Sequence, residues 1–138
     1  GEAMLAAMAL GAEGIQAGTL FALTEESSAS EEFKKRCTEL AEGDTMLCLK
    51  KIAPTRLIKN ALYTKLAEAE DKGATADELR EILGRAASKR GIFEGDMESG
   101  ELEIGQIASA IKTIKPVSEV MKELISGFEK AKERVALL

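Results

Sequence analysis

Histidine and tryptophan are both absent from this sequence, and cysteine occurs only twice, as Cys37 and Cys48. Without histidine, the chain lacks the side chain that most often serves as a general base near neutral pH and as a zinc ligand. Its absence also excludes Ser-His and Cys-His nucleophile pairs. The two cysteines match no metal-binding spacing and are too few for a disulfide scaffold. We therefore expect reduced thiols in a cytoplasmic protein.

Basic charge and long apolar runs are also scarce. Lysine and arginine number 19 against 24 aspartates and glutamates, which gives a formal charge of -5. No run supplies the basic face that a nucleic-acid binder needs, and no apolar stretch approaches the roughly 20 residues that span a membrane. Residues 1–11 are apolar but contain Glu2 and lack the basic start of a signal peptide. Because the sequence begins with Gly1 rather than Met, we expect it to be part of a longer protein.

Most of the chain carries the helical period, in which apolar residues recur every three or four positions. This period predicts helices over residues 2–10, 28–40, 55–73, 75–86, 104–114 and 117–135. Capping boxes at Ser28–Glu31 and Thr75–Glu78 mark two of the helix starts. The first helix is apolar on nearly every side, so we expect neighbouring elements to cover it. Residues 44–51 are ambiguous, because Thr45, Leu47 and Leu49 alternate as in a strand while Met46 and Cys48 fill the other face, and residues 89–100, which contain three glycines, predict a loop.

The segment Glu13–Ala17, bounded by Gly11 and Gly18, is a candidate for a short buried strand. A single strand leaves its backbone donors and acceptors unpaired, and burying them in that state costs free energy. The sheet that this strand would join is not evident elsewhere in the sequence.

Gly18 and Thr19 follow this candidate strand directly. Because glycine has no side chain, a ligand can approach the Gly18 backbone closely. The amides after such a strand, together with the Thr19 hydroxyl, would form a phosphate-binding turn ahead of a helix. The alternative is that Gly18 only turns the chain. Arg56 and Lys59 are further candidates for contacts with phosphate groups, against the alternative that they form surface ion pairs.

Three stretches resemble one known enzyme family. They are GEAMLAAMALGAEGIQAGTLF at residues 1–21, RLIKN at residues 56–60, and GDMESGELEIGQIASAIKTIKPVSEVMKEL at residues 95–124. They are similar to the C-terminal part of the FMN-dependent, FabK-like enoyl-acyl-carrier-protein reductases. These enzymes group with the nitronate monooxygenases, formerly called 2-nitropropane dioxygenases. The resemblance covers essentially the whole chain.

The resemblance implies an α/β fold, namely the C-terminal part of a (β/α)8 TIM barrel with a helical extension. Residues 1–50 would hold the last helix–strand unit with the FMN phosphate loop, and residues 51–138 the helical region. Gly18 and Thr19 match the phosphate-gripping pair, Gln16 and Ala17 lead into them, and Gly105 and Gln106 match the family's Gly-Gln. Ala17 and Leu20 depart from the family's usual Met and Arg. The family's catalytic histidine lies upstream of the matched region.

The implied activity is hydride transfer from NADH or NADPH through FMN to an enoyl thioester on acyl carrier protein. The implied intact enzyme is a cytoplasmic homodimer without nucleic-acid or membrane partners, and we expect little turnover from the 138 residues alone. One alternative is nitronate oxidation on the same scaffold. Another, of a different class, is a non-enzymatic interaction module whose amphipathic helix, residues 117–135, binds a partner.

Overall fold

The computed structural model describes residues 1–137 and shows an α/β protein that is about half helical. Its helices are α1 (Glu2–Ala9), α2 (Thr19–Ala22), α3 (Glu31–Thr38), α4 (Ala61–Asp71), α5 (Ala76–Leu83) and α6 (Val117–Val135). Its strands are β1 (Thr45–Cys48) and β2 (Thr55–Ile58), and single turns of π-helix and 3-10 helix lie at Lys89–Phe93 and Gln106–Ala110. The predicted division at residue 50 stays a prediction about the parts of a larger enzyme.

The chain forms two compact units. One, here called the terminal unit, combines Gly1–Ser27 with Lys115–Leu138, and the other, the middle unit, is Ser28–Ile114. In the terminal unit α1 packs on α6, and Gly1 lies so close to the α6 backbone that a Cβ on it would meet the Gly127 carbonyl carbon at 2.2 Å. An ion pair of 2.9 Å between Glu2 and Arg134 joins the same two helices.

Helix α6 begins where the sequence predicts, directly after Pro116. Its N-terminal amide at Val117 donates to the Glu26 carboxylate at 2.9 Å, which satisfies a backbone donor that no helical carbonyl can reach. Two residues before Val117, Lys115 forms a parallel bridge with Thr24, and the Glu25 amide donates to the Lys115 carbonyl at 3.1 Å. The start of α6 is thus tied to residues 24–26.

The middle unit is built on an antiparallel pair of strands. Strand β1 pairs with β2 in the register Thr45↔Ile58 to Cys48↔Thr55. Helices α4 and α5 pack on each other and enclose a hydrophobic cluster of Cys48, Leu49, Leu57, Leu62, Leu66, Leu79 and Ala87. The Thr75–Glu78 capping box is present, as predicted, and starts α5.

Three sequence predictions of helix position were wrong. Residues 55–58 form a strand rather than the start of a helix, because they pair with β1 and because the Ile58 amide donates to the Leu102 carbonyl. Helix α4 therefore begins only after Asn60, whose side chain accepts a hydrogen bond from the Tyr63 amide at 2.9 Å. The N-cap of helix α3 is Ser30 rather than Ser28, since the Ser30 hydroxyl accepts from the Phe33 amide, and the helix begins at Glu31.

The third error concerns residues 104–114, where the apolar stripe predicts a helix. The Ile104 amide instead donates to the Arg56 carbonyl, beside the bridge between Leu57 and Glu103, so this end of the segment is held by the hairpin. Only the 3-10 turn Gln106–Ala110 follows. The predicted loop at residues 89–100 likewise contains the π-helical turn at its start.

Two predictions about the first 20 residues also need correction. Helix α1 contains no buried residue among those described, although its composition predicts a covered helix. Residues Glu13–Ala17 are not assigned to a strand, because no other segment of the described chain pairs with them.

Candidate functional site

The predicted phosphate-binding residues Gln16, Ala17, Gly18 and Thr19 lie in the terminal unit between α1 and α2. Gly11 ends α1 in the left-handed region, with φ of 98°, and its amide donates to the Met8 carbonyl. The chain then runs through Glu13–Ala17 to Gly18, which is the N-cap of α2. Gln16 and Gly18 are exposed, whereas Ala17 and Thr19 are partly buried.

Backbone donors of this segment point to no acceptor within the chain. Across residues 1–137, the amides of Glu13–Gly18 and of Leu20 make no hydrogen bond. The Gly18 carbonyl, by contrast, accepts from the Phe21 and Ala22 amides at 3.1 and 2.9 Å, which begins α2. The Gly18 and Leu20 amides at this turn are therefore available to an anion.

The space beside Gly18 is open. A Cβ built on Gly18 meets no atom within 4 Å, and its φ of −84° and ψ of −67° are angles that any residue adopts. Neither backbone geometry nor packing in this chain requires glycine here. What the absence of a side chain provides is room for an external group to reach the backbone.

The neighbouring side chains separate by polarity. Ile15 and Ala17 line an apolar groove formed with α1, α2 and α6, whereas Gln16 does not contribute to it. This alternation is what a segment with one apolar and one polar face produces. Gln16, which is exposed, and Gly18, which has open space beside it, thus occupy the positions that alternate with the two apolar residues.

The other two predicted site residues, Gly105 and Gln106, lie in the middle unit. Gly105 has an extended backbone and precedes the 3-10 turn, and its carbonyl accepts from the Ala108 amide at 3.0 Å. Gln106 is exposed. The six predicted site residues therefore divide into a contiguous run of four in one unit and a pair in the other.

Arg56 has a structural role rather than the phosphate contact considered above. Its guanidinium donates to the Thr45 carbonyl at 3.1 Å and to the Thr45 Oγ1 at 3.3 Å, so it links β2 to β1. Lys59 is exposed and carries no such contact among the described residues. Arg56 thus supports the hairpin, and its contact with a ligand stays a prediction, as does that of Lys59.

Neither cysteine is suited to nucleophilic chemistry. Cys37 is fully buried, and burial raises the pKa of its thiol to about 12. Burial and a hydrogen bond to the Glu70 carboxylate raise the pKa of the Cys48 thiol to about 11. Both thiols are therefore protonated at neutral pH, and the reactive form is the thiolate. No cluster of metal-ligating side chains occurs within residues 1–137.

The motif GDMESG at residues 95–100, which is part of the resemblance, forms a tightly packed, hydrogen-bonded loop. Gly91 and Gly100 approach so closely that a Cβ on Gly100 would meet the Gly91 Cα at 2.3 Å. The Asn60 side chain donates to the Met97 and Gly100 carbonyls at 3.0 and 2.9 Å, and the Asp96 carboxylate accepts from the Ser99 amide at 2.8 Å. The sequence signal was the glycine spacing, which did not reveal Asn60 as the partner.

Comparison with known proteins identifies the family. The family model described as nitronate monooxygenase matches residues 1–127, and the chain therefore belongs to the nitronate monooxygenase family. Among solved structures, FabK from Thermotoga maritima is similar over 99% of this chain, with a TM-score of 0.88 and 31% identity. The M276A mutant of the same FabK gives a TM-score of 0.81 and 28% identity over the same share.

A curated relative from Staphylococcus saprophyticus, described as "Probable nitronate monooxygenase", is 33% identical over 95 residues, which is 66% of this chain. The match covers 27% of that relative, and the chain covers 43% of FabK and 41% of its mutant. The chain thus spans less than half the length of the proteins it matches. Among the described residues, no helix is long and apolar enough to cross a membrane.

Proposed function

We propose that this chain forms the C-terminal part of an FMN-dependent oxidoreductase that uses NADH or NADPH to reduce enoyl thioesters carried by acyl carrier protein. In this proposal Glu13–Ala17 belongs to the last strand of a (β/α)8 barrel, and the turn at Gly18 and Thr19 holds the flavin phosphate. The observation that carries the proposal is the pairing of open space beside Gly18 with unpaired amides at Gly18 and Leu20.

The residues present fit the phosphate end of FMN. A phosphate needs several donors converging on one point, and backbone amides at the start of a helix supply them with a favourable partial charge. Any side chain at position 18 would fill the space that the phosphate oxygens require. The flavin, when bound, supplies the redox chemistry, while the role of these residues is to bind and orient it.

The catalytic histidine that the family resemblance implies is not in this sequence. The sequence has no histidine, and both thiols are held protonated by burial. In the proposal, the acid or base that serves the substrate comes from a part of the enzyme outside these residues. We accordingly expect the isolated chain to show little or no turnover.

Nitronate oxidation is the second candidate, and the Staphylococcus saprophyticus relative supports it. The likeness to FabK, at 31% identity over 99% of the chain, supports the reductase. The third possibility, a non-enzymatic helical module, rested on the amphipathic character of α6. The family membership favours an enzyme over such a module.

The test is to purify the natural gene product and to measure its mass, its visible spectrum and its released cofactor. The proposal expects a yellow protein longer than this chain, from which FMN is released on denaturation. It further expects NAD(P)H oxidation that depends on an enoyl thioester and not on a nitronate. A colourless protein of this length would overturn the flavoenzyme proposal, and nitronate-dependent turnover alone would select the second candidate.

A further inference from the structure

The outer edge of strand β1, in the middle unit, pairs with no other strand of the described chain. In β2, residue 58 directs its backbone away from β1, because the Ile58 amide donates to the Leu102 carbonyl at 2.9 Å. Hydrogen bonding alternates along an antiparallel pair, so β2 bonds to β1 through the residues that face Met46 and Cys48. The other two residues of β1 therefore direct their amides and carbonyls to the outer side.

Thr45 and Leu47 are these outward residues. The Leu47 amide and carbonyl have no partner within residues 1–137, and the Thr45 carbonyl accepts from the Arg56 guanidinium alone in the same range. A carbonyl has two lone pairs, so this one can accept a further hydrogen bond. The side chains of Met46 and Leu47 are 44% and 40% exposed. An edge strand with unpaired backbone groups and exposed apolar side chains is a surface to which another strand can be added.

The residues that flank β1 carry opposite charges at its two ends. Glu42 and Asp44 precede the strand, whereas Lys50 and Lys51 follow it. The side chains of Glu42 and Lys50 are exposed, and neither forms an ion pair among the described residues. When two copies of such a strand pair antiparallel, the acidic end of each copy lies beside the basic end of the other. The charges around β1 are therefore complementary to those of a second, antiparallel copy.

We propose that β1 pairs antiparallel with β1 of a second copy of the chain, with Met46 opposite the partner's Met46. In this register Thr45 faces the partner's Leu47, so each outward residue exchanges backbone hydrogen bonds with the other copy. The pairing is isologous, as in most homodimers, and joins the two hairpins into one sheet. A shift of the register would bring in Leu49, whose φ of 58° is not compatible with an extended strand.

A second copy suits this edge because it supplies both the backbone groups and the matching charges. The family resemblance implies a homodimer but assigns no surface to it, and the pairing depends neither on the flavin site nor on the proposed function. A short strand and exposed ion pairs make an interface smaller than the roughly 1,600 Å² of a standard complex. We therefore expect a dissociation constant on the order of 10–100 µM.

The experiment uses the natural gene product, measured by sedimentation velocity over a range of concentrations and by hydrogen–deuterium exchange resolved to single amides. At about ten times the dissociation constant, only about one fifth of the copies are free by mass action. The Leu47 amide should then exchange about five times more slowly than in dilute solution. The Met46 amide, which already bonds to β2, should change much less.

Charge reversal tests the register. Glu42→Lys and Lys50→Glu each place like charges opposite one another, so each should weaken the association at least about tenfold. The double variant restores opposite charges and should associate within about threefold of the wild type. Glu81→Lys, at an exposed position of α5, is the matched control and should leave the association unchanged.

The proposal is overturned if the Leu47 amide exchanges equally fast in dilute and in concentrated protein. Protection of this amide in a monomer would also overturn it, because another part of the natural protein would then cover β1. The same conclusion would follow if the double variant associated as weakly as the single variants, or if the single variants associated as the control does.

Discussion

The side-chain amide of Asn60 donates to the Gly100 carbonyl at 2.9 Å and to the Met97 carbonyl at 3.0 Å. The same side chain accepts from the Tyr63 amide at 2.9 Å and so caps α4. One residue therefore starts a helix and fastens the loop of residues 91–100 to it. The GDMESG motif at residues 95–100 therefore has a structural role in this chain.

Replacement of Asn60 should reveal both roles. We expect Asn60→Ala to lower the free energy of unfolding by about 2–4 kcal/mol, because it removes the helix cap and leaves two loop carbonyls without their donor. Asn60→Ser restores an acceptor for the cap but is too short to reach the loop, so about 1 kcal/mol should return. Urea unfolding measures both values. Equal stability of the two variants would show that the cap contributes nothing.

The close packing of Gly91 against Gly100 predicts that a larger residue at position 100 lowers stability. A Cβ at position 100 would lie 2.3 Å from the Gly91 Cα and 2.4 Å from the Asp96 carbonyl oxygen, so Gly100→Ala must displace backbone. We expect a loss of about 3 kcal/mol or more. Gly14→Ala is the matched control, since its Cβ meets nothing within 4 Å. The control should change stability by less than about 0.5 kcal/mol, as measured by thermal or urea unfolding.

Substitution of Gly18 should change flavin binding without changing folding. In the natural gene product, Gly18→Val should weaken FMN binding at least about tenfold, because the branched side chain occupies the proposed phosphate space. The 138-residue chain carrying Gly18→Val should keep its stability, since the site beside Gly18 is open in it. The wild-type gene product is the reference for affinity. Fluorescence titration of the flavin measures the affinity of both proteins, and unchanged affinity in Gly18→Val would show that the phosphate lies elsewhere.

Stability should fall in alkaline solution because of Cys37. Burial raises the pKa of this thiol from 9.0 to about 12, so above pH 9 the unfolded chain loses a proton that the folded chain keeps. The contribution is therefore fully present below pH 9 and is lost as the pH rises toward 12. Between pH 8 and 10 we expect Cys37 to account for a loss of roughly 1 kcal/mol, measured by urea unfolding. Cys48, whose pKa is raised to about 11, adds a similar loss to the total.

Cys37→Ala is the control for this pH effect. The variant lacks the titrating group, so its stability should decline less steeply over the same interval, whatever its stability at pH 8. The wild-type thiol should also react slowly with a thiol reagent at pH 8 in the folded state. Identical slopes for the wild type and the variant would assign the alkaline effect to other groups.

The elements that the sequence predicted correctly depend on local signals. Helix α6 follows a proline and has a long regular stripe, and α5 begins at a Thr-x-x-Glu box, so each is specified by its own residues. The turn at Gly18 follows from the glycine in the sequence, whereas the open space beside it is seen only in the structure, and its role in phosphate binding stays a prediction.

The errors arose where distant residues decide the structure. RLIKN at residues 56–60 has a helical stripe but pairs with β1, and Ile104 joins the Arg56 carbonyl instead of continuing a helix. Arg56 contacts Thr45 for the same reason. For the run Glu13–Ala17, the pattern predicts a strand whose partners do not occur among the described residues. Local propensity cannot report a partner that lies elsewhere.

The terminal unit consists of two chain segments, and these segments meet at a bridge between Thr24 and Lys115. There the Glu25 amide donates a hydrogen bond to the Lys115 carbonyl. The middle unit is therefore an insertion within the terminal unit. The chain leaves the terminal unit and re-enters it at neighbouring positions. The free-energy cost of closing a loop grows only with the logarithm of its length. Inserts of very different length are therefore compatible with this arrangement. We therefore expect a shortened segment between residues 28 and 114 to leave the framework around Gly18 intact.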